Sequence, residues 1–113
     1  MTVILRCNDP RGQEIIVTQE QWDDHIIDHA EMIGQLRGVE LALTDPTFIC
    51  EDRDFDTREN YYRPFTLPGR FHNTYLKVCV EFPRPGLLRQ LTGEVVTAFS
   101  TANIKQGETQ TWP

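Results

Sequence analysis

Tyr75 to Phe82, reading YLKVCVEF, constrains the fold of this chain more than any other stretch. Leu76, Val78, Val80 and Phe82 alternate with Tyr75, Lys77, Cys79 and Glu81. A period of two over β-branched and aromatic residues predicts a strand with one face in a core. A strand buried on both faces rarely carries charges at alternate positions, so Lys77 and Glu81 point to an antiparallel sheet with one covered face. The other face, with Tyr75 and Lys77, is where function is expected.

The segments on either side are read from that strand outward. Val3 to Cys7 is apolar enough for a short strand, Asn8 to Gly12 reads as a turn, and Glu14 to Val17 is placed to complete a small hairpin. Thr18 suits an N-cap, with Gln21 able to reach back to it in a capping box. The helix that follows is predicted to carry Trp22, Ile26, His29 and Ile33 on one stripe and to end before Gly34. A second helix is expected from about Leu36 to Leu43, stopped by Asp45-Pro46. Sheet segments then begin at Thr47 to Cys50, with Glu51 to Glu59 as an exposed acidic connection. Tyr61 to Thr66 is the next strand, and Pro64 marks it as an edge strand or a bulge. After the central strand comes a stiff loop at Pro83 to Gly86, flanked by Arg84 and Arg89. The last strand runs from Leu91 or Thr92 through Phe99, with Gly93 as the candidate bulge. The expected fold class is α+β: two N-terminal helices packed on one face of an antiparallel sheet of about four strands, with the short hairpin ahead of them. Residues 1–113 form a single domain in this reading, and the polar tail after about residue 101 frays unless Trp112 pins it.

Composition narrows the function classes. The net charge of -6 argues against unselective nucleic-acid binding, but the charge is unevenly spread. Residues 1–50 carry three arginines against nine carboxylates, whereas 60–113 carry six cations against three carboxylates. That asymmetry is compatible with a localised anion site on the sheet half. No apolar run approaches bilayer length and the first residues lack a signal-peptide pattern, so a cytoplasmic location without a membrane partner is expected. Cys7, Cys50 and Cys79 form no CxxC pair and read as small buried hydrophobes, with a reactive thiol or a disulfide as the other uses. Glycine-rich phosphate loops are missing, and no cofactor is expected.

Two constellations carry candidate chemistry. His25 and His29 are four apart, hence neighbours on a helix; Ile26 stands where a metalloprotease pattern needs glutamate, and no metal is assigned. The pair is open to a structural or a catalytic role, since histidine titrates near neutral pH. On the sheet, alternation groups Tyr61 with Arg63, Tyr75 with Lys77, and Val95 with Thr97 and Phe99. In matching register, Arg63, Lys77 and Thr97 converge on one surface that suits a phosphate, with tyrosines available to stack on bases. Ordinary cross-strand pairing accounts for the same residue types.

Several stretches resemble the phage- and mobile-element-associated proteins of the barnase, EndoU, colicin E5/D and RelE group of RNase-like domains. They are Val17-Thr18-x-x-x-Trp22-x-x-His25-Ile26-x-x-x-His29, Thr44-Asp45-Pro46, Tyr61-Tyr62, Leu76-Lys77-Val78-x-Val80 and Glu94-Val95-Val96-Thr97-Ala98-Phe99. The resemblance implies metal-independent RNA cleavage or RNA binding. His25 would be base or acid, Lys77 and Arg63 the charge stabilisers, and Thr97 or a tyrosine the orienting group, with Tyr62 and His29 also carried over. The sheet-face alternation adds Tyr61 and Tyr75 as candidates toward the substrate. Where members of the group commonly have proline after the second histidine, this chain has Ala30. A different expectation follows from the nine carboxylates of the first half: a non-enzymatic accessory or immunity-like module whose acidic helical face meets a protein partner or inhibitor.

Overall fold

The computed structural model describes residues 1–83 and 91–113. The expected Pro83–Gly86 loop with Arg84 and Arg89 therefore lies largely outside the described residues. The fold is α+β, but the four-stranded antiparallel sheet is corrected to a mixed sheet with seven strands among the described residues. In chain order the strands are β1 (Val3–Asn8), β2 (Glu14–Thr18), β3 (Phe48–Glu51), β4 (Arg58–Pro64), β5 (Tyr75–Glu81), β6 (Gly93–Thr101) and β7 (Thr109–Trp112). Their order across the sheet is β1-β2-β6-β5-β4-β3-β7. All pairs are antiparallel except β2–β6, which run parallel at Ile15–Gly93 and Ile16–Glu94.

Three features of chain packing explain the difference. The N-terminal hairpin joins the main sheet through that short parallel contact and adds two strands. The tail expected to fray instead adds β7, which pairs with β3 and brings Trp112 against the core. Thr57 and Arg58 leave the acidic connection, so Arg58 and Glu59 become part of β4. Proline sits at the end of β4, as its missing N–H requires. β3 pairs only as far as Phe48–Tyr62, leaving Pro64 clear of the ladder on that side.

The helical half is shorter than its sequence period suggests. Helix α1 (Gln19–Asp24) starts as expected, with Thr18 Oγ1 accepting from the Gln21 N–H. Gln21 completes no capping box, because its Nε2 donates to the Val96 carbonyl. Two 3-10 turns follow, Ile26–Asp28 and Ala30–Met32, separated by His29 in an extended conformation. This break scrambles the predicted stripe: Ile26 and Met32 are fully buried, while Ile33 is 63% exposed. Helix α2 (Leu36–Thr44) places Val39, Ala42 and Leu43 in the core. Gly38 there sits 3.5 Å (as a would-be Cβ) from Thr66 and 3.7 Å from Leu76, so the helix packs close to the sheet.

The core lies on the face that carries Leu76, Val78, Val80 and Phe82. Gly93 permits a close crossing there, since a Cβ would meet the Phe82 ring at 2.5 Å and Val80 at 2.7 Å. The bulge expected at Gly93 is instead at Val96, where the pairing steps from Cys79–Thr97 to Val80–Val95. One extra residue reverses the facing of everything beyond it. Val95 is consequently fully buried in the core, and of the expected trio Thr97 and Phe99 remain on the outer face with Lys77. Among the described residues, no helix is long and apolar enough to cross a membrane.

Candidate functional site

Register assigns the outer face row by row. Phe48, Tyr62, Lys77 and Phe99 are cross-strand neighbours on β3, β4, β5 and β6. Next along the strands come Cys50, Asn60, Cys79 and Thr97, and on the other side Pro64, Tyr75 and Thr101. Lys77, Thr97, Tyr62 and Tyr75 are thus brought to one face. Arg63 and Tyr61 are not: Arg63 pairs with Leu76 and Tyr61 with Val78, which puts both on the core side. A strand cannot present adjacent residues to one face, and the grouping Tyr61–Arg63 was out of phase with Tyr75–Lys77 by one residue.

The centre of the outer face is a charged aromatic box. Lys77 Nζ lies 5.4 Å from the Tyr62 ring centroid and 5.7 Å from that of Phe99. Phe48, Tyr62 and Tyr75 make three mutual ring contacts with centroids 5.2 to 6.0 Å apart. Into this box the chain before β7 inserts Glu108. Its carboxylate accepts from Lys77 Nζ at 2.7 Å and from the Tyr62 hydroxyl at 2.7 Å. The Lys77 side chain is left 6% exposed and that of Glu108 is fully covered. Burial, reinforced by the Glu108 hydrogen bond, raises the Tyr62 phenol well above its usual range, so it remains a neutral donor.

The histidines sit at the rim. His25 caps the C-terminal end of α1 and is exposed, so the pair no longer shares a helix face. His29 reaches around the edge of β6 and stacks on Phe99, with ring centroids 5.2 Å apart and planes at 34°. Because Phe99 is also the cross-strand partner of Lys77, the histidine that meets the Lys77 row is His29. Among the described residues, no group of three or more His, Cys, Asp or Glu is placed to hold a metal. All three cysteines are free, and burial pushes each thiol up to about 11, against nucleophilic use. Cys50 and Cys79 flank Asn60 on the two neighbouring strands of β4, too far apart for a disulfide.

A second polar cluster, invisible to sequence reasoning, lies on the core side. Arg11, at the tip of the β1–β2 hairpin, forks onto Glu59 at 3.0 and 3.1 Å and onto Asp9 at 2.7 and 3.1 Å. Its Nη2 also donates to the Tyr61 hydroxyl at 3.1 Å, and that hydroxyl donates to Asp9 at 2.7 Å. Thr111 of β7 donates to Glu59. Burial opposes the guanidinium charge, but the Glu59 and Asp9 hydrogen bonds outweigh it and raise the Arg11 pKa. With Asp9, Glu59 and Tyr61 all buried, the network is closed to substrate and acts as a clasp. The turn from Asn8 to Gly12 was legible locally; the partners of Arg11 on β4 were not. Comparison with family models, with curated proteins and with solved structures finds no match for this chain.

Proposed function

We propose that the chain engages RNA on the outer face of its sheet and cleaves it without a metal. The observation that carries this reading is the His29 ring on Phe99, directly beside Lys77 on a face lined by Tyr62 and Tyr75. In metal-independent cleavage the ribose 2′-hydroxyl attacks the adjacent phosphorus, a base takes its proton, an acid protonates the leaving oxygen, and a cation offsets the phosphorane charge. His29, with His25 nearer solvent, supplies acid–base chemistry at the rim. Lys77 supplies the cation and Thr97 an orienting hydroxyl, while the half-buried Tyr75 offers a ring to an unpaired base and Tyr62, fully buried, offers only its hydroxyl. Arg63 has no part in this arrangement, since it faces the core side.

Lys77 is held by Glu108, so a phosphate meets it by taking the place of that carboxylate. A phosphate oxygen pair accepts both hydrogen bonds that Glu108 now takes, from Lys77 and from Tyr62. Purified protein is expected to degrade single-stranded RNA in the presence of a chelator, and His29→Ala to slow the reaction by roughly 10²-fold or more at unchanged folding. The loss for His25→Ala is expected to be smaller. Intact RNA across a broad substrate panel would overturn the cleavage reading.

A second reading is favoured by one observation: Asp23, Asp24 and Asp28 are all exposed on α1 and the turn after it. Such a face suits a basic protein partner of a non-enzymatic accessory or immunity-like module. Capture of a defined partner from extract, abolished by charge reversal at these three positions, would favour it over catalysis.

A further inference from the structure

From Asn60 to Val80 the chain carries Arg63, Arg70, His72 and Lys77 and not one carboxylate, in a protein of net charge -6. The turn joining β4 to β5 lies within this span and presents a large ring to solvent. Phe65 is 61% exposed and holds φ at 56°, a left-handed conformation that side chains other than glycine and asparagine adopt at a cost. An apolar side chain that is neither buried nor relaxed calls for a reason outside the fold.

The surroundings of Phe65 are ordered by specific contacts. Its ring lies 5.6 Å from the His72 ring, with planes at 42°. His72 Nδ1 faces the Leu67 carbonyl at 3.2 Å, so that nitrogen carries the proton and Nε2 is left for a ligand. Thr66 Oγ1 bonds back to the Pro64 carbonyl and accepts from Arg63, which stiffens the turn below the ring. Arg70, exposed, lies over the Phe71 ring at 4.8 Å and makes no ion pair among the described residues. Pro64, next to Phe65, pairs with Tyr75, one row along from Lys77, so the tip continues the outer face already described.

We propose that the Phe65–His72 pair at the β4–β5 tip is a stacking subsite for one unpaired base of an RNA strand, with Arg70 on a neighbouring phosphate. This rests on the RNA reading above and extends it to a nucleotide beyond the reacting one. A lone exposed ring with Arg70, unpaired among the described residues, two residues from its His72 neighbour suits a nucleobase, whose π-face stacks on it without sequence preference. A protein partner would call for a broader apolar patch.

The test is fluorescence anisotropy with a mixed-sequence single-stranded 2′-O-methyl oligoribonucleotide, which lacks the nucleophile and so is not consumed. Phe65→Gly removes the ring and relieves the backbone, so it folds. It is expected to weaken binding roughly tenfold with an unchanged salt slope. Phe65→Tyr keeps a stacking ring and should bind as the parent does. Arg70→Gln should lower the salt slope by about one. Binding by the parent that Phe65→Gly leaves intact, or equal affinity for a duplex of the same sequence, would overturn the subsite while the RNA reading stands. No binding by the parent at any salt concentration would overturn both.

Discussion

Arg11 shows how one side chain can hold the two ends of the molecule's order together. Its guanidinium makes five hydrogen bonds to two buried carboxylates and a phenol, and Glu59 is 48 residues away. Arg11→Met keeps the apolar stem but removes the shared cation of Asp9 and Glu59. The expected cost is about 3–5 kcal/mol, read as a lower urea midpoint, because a buried ion pair that loses one member leaves charge without compensation. Tyr61 deepens that cost: burial and then the Asp9 charge raise its pKa, so it stays a neutral donor and cannot supply the missing positive charge. Of this cluster, only the turn was legible. Asp9 followed by Pro10-Arg11-Gly12 favours an Asx turn by local chemistry, and the Arg11 and Gln13 N–H groups do bond to Asp9 Oδ1. Nothing within a few residues of Arg11 specifies Glu59.

At the scale of elements, the segment from α1 to the second 3-10 turn serves to seal β6. Strand β2 pairs with β6 only at Gly93 and Glu94, and beyond them side chains take over. Gln21 bonds the Val96 carbonyl, while Glu31 accepts from both the Ser100 N–H and the Ser100 hydroxyl at 2.9 Å. Burial alone would raise the Glu31 pKa, but the bonds from Ser100 prevail and hold it below the usual value. A depressed carboxylate contributes its stability above the unfolded pKa of about 4.3 and loses it as pH falls through the lower folded value. Glu31→Gln should therefore cost about 1.5 kcal/mol near neutrality and flatten the acid limb of the stability profile. Faster amide exchange at Ser100 would accompany it; an unchanged acid limb would remove Glu31 from this role. The helix period of Trp22, Ile26, His29 and Ile33 failed because 3-10 turns advance each residue by a larger angle than an α-helix and His29 interrupts them. The same interruption frees the His29 ring to turn toward Phe99.

For the whole molecule, closure depends on the last strand. β7 covers the outer edge of β3, its Thr111 reaches the Arg11 clasp, and Glu108 just before it fills the Lys77 box. Removing residues 109–113 keeps Glu108 but exposes the β3 edge, where Phe48, Ile49 and Cys50 form an apolar strand. The shortened chain is expected to associate, giving a concentration-dependent larger species in size-exclusion chromatography with light scattering. A monomer as well behaved as the full chain would show that β7 is dispensable to the edge.

The sequence by itself determined what residues within one turn or one strand decide among themselves: the two faces of Tyr75 to Phe82, the Thr18 cap, the Asp9 turn and the span of α2. Those patterns are carried by backbone geometry over a few positions. Tertiary structure alone decided the phase of one strand against the next, the bulge at Val96 and the coiling that brings Arg11 to Glu59 and Glu108 to Lys77. These turn on contacts between groups 31 and 48 residues apart, whose free energy depends on how every intervening strand packs and leaves no local period to read. For that reason Lys77 and Thr97 could be grouped in advance only on condition of register, whereas the carboxylate over Lys77 and the departure of Arg63 could not be read at all.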